Sequence, residues 1–81
     1  MTDFTKPFPL YRKYKEIDVW FKIESDLNFV EVKKVGTKFI KTEVKAEIFP
    51  EKQFIQDMIN CFEGRWQKIS EQEFNLHARS F

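Results

Sequence analysis

The chain has 81 residues and a formal net charge of +1; 33% of it is charged and 17% aromatic, with ten Phe, two Tyr and two Trp. So even a balance gives no global pull toward phosphates or an anionic membrane. Rings that each remove roughly 150–250 Å² from water argue against a disordered chain and supply the core that so short a domain needs. The longest unbroken apolar run, Val19-Trp20-Phe21, is far short of the ~20 residues of a membrane-spanning helix, and the N-terminus lacks the basic-then-apolar pattern of a signal peptide. The single Cys61 excludes an internal disulfide and suits a reducing compartment. The expectation is one soluble, cytoplasmic domain over 1–81.

The first nine residues, MTDFTKPFP, hold two Pro and two Phe and read as an arm, either flexible or laid over an open sheet face. A strand region is expected over 10–49 and a helical region over 50–81. YRKYK, residues 11–15, interleaves basic and aromatic side chains. Leu10 and Tyr14 share one alternation phase while Ile17, Val19 and Phe21 occupy the other, and Lys15-Glu16 offers no Gly, Asn or Pro for a tight turn. The segment therefore reads as an irregular lead-in strand entering through a bulge, or as one helical turn.

From Ile17 to Glu24, Ile17, Val19, Phe21 and Ile23 alternate with Asp18, Trp20, Lys22 and Glu24, a half-buried strand whose odd member is Trp20 on the polar face. Ser25-Asp26-Leu27-Asn28 supplies turn chemistry. The next strand, Phe29 to Val35, keeps no single phase, so a bulge or irregular start is expected. Gly36-Thr37 turns the chain into FIKTEVKAEIF, residues 39–49, in which Ile40, Thr42, Val44, Ala46 and Ile48 alternate with Lys41, Glu43, Lys45 and Glu47. That charged row reads as a solvated sheet face.

Pro50 and Glu51 open a helix. Phe54, Ile55, Met58, Ile59, Cys61 and Phe62 then fall on one arc at ~100° per residue, and Gly64 is the expected left-handed stop. Arg65-Trp66-Gln67-Lys68 reads as a connector whose Trp66 plugs the end of the core. Ser70 and Glu73 have capping-box spacing, with Ile69 and Phe74 placed as a hydrophobic staple for a last helix. The fold class expected is α+β, an antiparallel three- or four-stranded meander followed by two C-terminal helices packed on one face. Its core is Ile17, Val19, Phe21, Ile23, Val32, Ile40, Val44, Ala46, Ile48, Phe54, Ile55, Met58, Ile59, Phe62, Trp66 and Phe74.

Catalytic chemistry finds little support. One His and one Cys exclude structural zinc sites built from those ligands, and Glu73 with His77 lacks the further ligands of a metal helix. Cys61 reads as a core filler rather than the nucleophile of a Cys61–His77 pair. Two glycines in the whole chain exclude Gly-rich phosphate loops, and no Gly-x-Ser-x-Gly elbow is present. No metal or cofactor is expected.

Binding readings carry more weight. Up to Lys45 there are ten Lys or Arg against seven Asp or Glu, net +3; beyond it there are four against six, net −2. The candidate binding residues are Tyr11, Lys13, Lys15, Trp20 and Lys22. The expectation is a non-catalytic interaction domain that meets a protein partner or a second copy of itself, through an exposed aromatic patch at Trp20 or an unpaired strand edge. The alternative is single-stranded nucleic acid stacked on Tyr11 and Trp20 beside lysines, opposed by Asp18, Glu24, Glu31, Glu43 and Glu47 on the same strands.

Overall fold

The computed structural model describes residues 8–78; most of the expected N-terminal arm, including Phe4, lies outside them. In chain order the elements are β1 (Leu10–Tyr14), β2 (Val19–Ser25), β3 (Asn28–Val35), β4 (Lys38–Lys45), α1 (Phe49–Ile59), a 3-10 turn (Phe62–Gly64), β5 (Trp66–Lys68) and α2 (Glu71–Ala78). The class is α+β, an antiparallel sheet followed by two C-terminal helices. The sheet has five strands in the order β4-β3-β2-β1-β5, one more than the upper expectation. The extra strand is the expected connector: β5 pairs with β1 through Arg12 opposite Lys68 and Tyr14 opposite Trp66.

Local chemistry explains the turns. The first four residues of YRKYK lie in a regular strand, and the phase mismatch with β2 is absorbed by the irregular Lys15–Asp18 loop. Between β2 and β3 the register shifts between Ile23 and Ser25, and the Ser25 hydroxyl accepts the Leu27 N–H at 3.0 Å, an ST-turn. Val35 stands opposite Lys38, so β3 and β4 join through Gly36-Thr37 alone. Gly36 has φ +64, the left-handed conformation such tight loops require.

The two helices cover opposite faces of the sheet, which corrects the expectation that both pack on one. Opposed residues in neighbouring strands share a face. Leu10, Ile23, Phe29 and Val44 form one row, and Arg12, Phe21, Glu31 and Thr42 the next. Val19, Phe21, Ile23 and Phe29 of this face pack with Ala46, Trp66, and Ile55 and Met58 of α1. The other face carries Tyr11, Lys22, Val30 and Glu43 in one row and Lys13, Trp20, Val32 and Lys41 in another. There Trp20, Val30 and Val32 pack under Phe74 of α2, flanked by Tyr11, Phe39 and Ile69. Burial on both faces is why β3 showed no single phase.

At the start of α1 the Glu51 carboxylate accepts the N–H groups of Glu47 and Ile48 at 2.8 and 3.3 Å. α1 ends at Ile59, short of Gly64, and Cys61 takes the left-handed position with φ 51. A non-Gly residue there costs roughly 1–2 kcal/mol, and the helix end beside it is held by Arg12. This residue, only 5% exposed, donates from its guanidinium to the carbonyls of Met58 at 2.9 Å and Ile59 at 3.0 Å, and to that of Tyr11 at 2.9 Å. A cation thus meets the negative end of α1, where it satisfies the Ile59 carbonyl and shares that of Met58 with the Cys61 N–H. At α2 the Ser70 hydroxyl accepts the Glu73 N–H at 3.0 Å, the expected cap, and Ile69 and Phe74 meet in one cluster.

Four expected core residues, Ile17, Ile40, Ile48 and Phe62, are exposed. α1 packs over the β1, β2 and β5 side of its face and leaves Ile40 and Thr42 of β4 open. Ile17 belongs to the β1–β2 loop, and Phe62 lies beyond the end of α1. Among the described residues no helix is long and apolar enough to cross a membrane.

Candidate functional site

Four of the five candidate binding residues, Tyr11, Lys13, Trp20 and Lys22, come together on the α2 face, but α2 occupies that surface. Trp20 is 3% exposed and stacks on His77 of α2, ring centroids 4.0 Å apart and planes 20° from parallel. Among the described residues its cover is α2, while Phe8 packs on the opposite face and Phe4 lies outside the described residues. Tyr11 lies 5.5 Å from the Phe74 ring. Lys13 Nζ sits 5.7 Å from the Trp20 ring centroid while donating to the carbonyls of Tyr14 and Ile17, so it braces the β1–β2 loop. Lys22 is half-buried beside Tyr11. Lys15 is apart from them, exposed in the loop with its Nζ near Gly64. Rings already stacked inside the fold offer no platform to bases, and a buried Trp20 offers none to a partner.

The reactive side chains are separated as well. Cys61 packs against the α1-face cluster, whereas His77 lies on Trp20 across the sheet. Among the described residues no group of three or more His, Cys, Asp or Glu is placed to hold a metal ion.

Two of the surface clefts among the described residues bear on function. One of about 360 Å³, lined by Tyr14, Lys15, Glu16, Ile17, Glu63, Gly64 and Arg65, balances its own charges, and Arg65 is bound to Glu63 at 2.7 Å. Burial pushes the Tyr14 hydroxyl above the ordinary tyrosine value, helped by Glu31 and opposed by Arg65. The other, of about 520 Å³ at the β2–β3 turn, has polar groups engaged with one another: Asn28 donates to Glu24 at 3.1 Å and meets the Ser25 hydroxyl. Neither cleft presents an acid and a base in contrasting environments, the arrangement that proton transfer requires.

What remains is the outer edge of β4. Among the described residues this strand of eight is the end of the sheet and is hydrogen-bonded only to β3, and its side chains are exposed except for half-buried Phe39 and Val44. Val35 and Lys38 close a two-residue loop and so form a hydrogen-bonded pair; alternation then directs the backbone groups of Ile40, Thr42 and Val44 toward β3. The same parity continues beyond the strand, where the Ala46 N–H donates to the Leu27 carbonyl. The N–H and C=O groups of Phe39, Lys41, Glu43 and Lys45 therefore point away from the sheet. β5, the opposite edge, has three residues. The alternating charges of β4 were legible in the sequence; its position at the edge was not, because strand order depends on where the chain goes after α1.

Comparison of the chain with protein-family models, curated proteins and solved structures found no match in any of the three.

Proposed function

We propose that this protein is a non-catalytic interaction domain that captures an extended polypeptide segment by adding it as a strand to the open edge of β4. The observation that carries the reading is the row of outward backbone groups at Phe39, Lys41, Glu43 and Lys45, since strand addition draws affinity from such groups and specificity from the side chains beside them. The two helices support it by covering the middle of both sheet faces while the β4 side, with Ile40 and Thr42, stays exposed. The reading assigns the domain to the cytoplasm, where its half-buried Cys61 thiol would stay reduced.

Lys41→Pro tests this. Proline removes an N–H that points outward and leaves the β3–β4 ladder in place, the situation in which edge strands tolerate it. Capture of proteins from native cell extract is expected to survive nuclease treatment with the parent chain and to fail with Lys41→Pro, whose circular dichroism stays unchanged. Capture retained by Lys41→Pro, or abolished by nuclease, contradicts the reading.

A further inference from the structure

We infer that the strand received by β4 is β4 of a second copy of this chain, paired antiparallel about a two-fold axis at Thr42, so that two five-stranded sheets become one continuous sheet. The inference rests on the strand-addition reading and adds the partner and the register.

Antiparallel self-pairing about a two-fold places one residue opposite its own copy, and residues equally spaced on either side of it opposite one another. With Thr42 on the axis, Lys41 faces Glu43 of the other copy, twice; Ile40 faces Val44, twice; and Phe39 faces Lys45. The outward parity of β4 makes Lys41–Glu43 and Phe39–Lys45 the hydrogen-bonded pairs, about eight backbone bonds in all. Thr42–Thr42 and Ile40–Val44 become the closer, non-hydrogen-bonded pairs. Opposite charges stand across from each other on the α2 face, and β-branched side chains meet on the α1 face, where Ile40 is otherwise 49% exposed.

Neighbouring registers are rejected by the same charges. Moving the axis to Lys41 opposes Lys41 to Lys41, and moving it to Glu43 opposes Glu43 to Glu43 and Lys41 to Lys45, which is unfavourable between directly opposed residues. Moving it to Val44 restores opposite charges at Glu43 and Lys45 but keeps only the end of the strand, because the chain leaves the sheet after Lys45. The lysines that keep unrelated strands off an edge here select one register.

Exposed apolar groups also stand near the two ends of the strand. Val35 ends β3 opposite Lys38, and Ile48 and Phe49 follow the other end of β4. All three are large, apolar and exposed, Phe49 at 73%.

Charge exchange tests both partner and register by sedimentation across a concentration series. The parent chain should dimerise reversibly. Lys41→Glu and Glu43→Lys should each weaken dimerisation roughly tenfold or more by opposing like charges. An equimolar mixture of the two variants should form a heterodimer as tight as the parent dimer. One copy is then acidic at both positions and the other basic at both, so every pair across the axis again joins opposite charges. A mixture that stays monomeric overturns the register. A parent chain that stays monomeric throughout, while Lys41→Pro still abolishes capture of another protein, overturns self-pairing and leaves β4 as a docking edge. A dimer that survives Lys41→Pro overturns both readings.

Discussion

The two edges of the sheet are built on different terms. β5 contributes three residues, and its Trp66 is buried in the α1-face core, stacked on Tyr14 at 5.3 Å. Beside it, Arg12 of β1 ties the strand pair to the end of α1. β4 contributes eight residues, most of them exposed, held to β3 but not roofed by α1 at Ile40 and Thr42. Core packing closes one edge, and its few outward backbone groups give an incoming strand little to bind. The other edge contributes less to the core and presents a full row of such groups, which is where the fold leaves room for recognition.

Substitutions should separate the two edges, beginning with the deepest. Trp66→Ala removes the residue that joins β5 to the core and should lower stability by about 3–5 kcal/mol, read by urea unfolding; a loss near that of an ordinary surface substitution would mean that β5 is not core-held. Arg12→Met keeps an apolar stem but removes the Arg12 donor from the Ile59 carbonyl and leaves the Met58 carbonyl with the Cys61 N–H alone, with an expected loss of about 2–3 kcal/mol. At the other edge, Lys41→Pro should change monomer stability by about 1 kcal/mol or less while abolishing association. Thr42→Pro, one residue on, removes an N–H directed at β3 and should destabilise clearly more; equal effects at the two positions would contradict the assigned parity.

The smallest effect expected is alkaline. Tyr14 has its pKa raised above the ordinary 10.0, chiefly by burial. A folded value above the unfolded one means stability fully present below pH 10.0 and lost as pH rises through the folded value. The β1–β5 side should therefore loosen in that window as tyrosinate absorbance appears, and Tyr14→Phe should show a shallower decline in urea-unfolding stability. An identical decline in the variant would assign the loss to other groups.

Much of this architecture was legible residue by residue. Strict alternation from Ile40 to Ala46 announced β4, the apolar arc around Ile55 and Met58 announced α1, and Ser70 with Glu73 announced the cap of α2. The second covered face was signalled and not decoded: Trp20 and Phe39 fall in phases that read as polar, Val30 and Val32 belong to a strand without a single phase, and only strand pairing shows the four to be adjacent. Arg12 looked like one more surface cation because the helix end that buries it is more than forty residues away. β5 is too short for alternation to register. Ile17, Ile40, Ile48 and Phe62 misled because apolar character reports a preference for burial and not whether a neighbour reaches that position. The candidate site followed the same division: the charges of β4 were in the sequence, whereas its freedom at the edge arises from α1 carrying the chain across to β1.

Amide hydrogen exchange along β4, followed residue by residue as protein concentration rises, tests the central claim most directly. In dilute solution the N–H groups of Ile40, Thr42 and Val44 should be protected by β3 while those of Phe39, Lys41, Glu43 and Lys45 exchange freely. At high concentration those four should become protected together, with the remaining exposed amides unchanged. Odd-numbered amides that stay fast at every concentration would contradict pairing of this edge with its own copy.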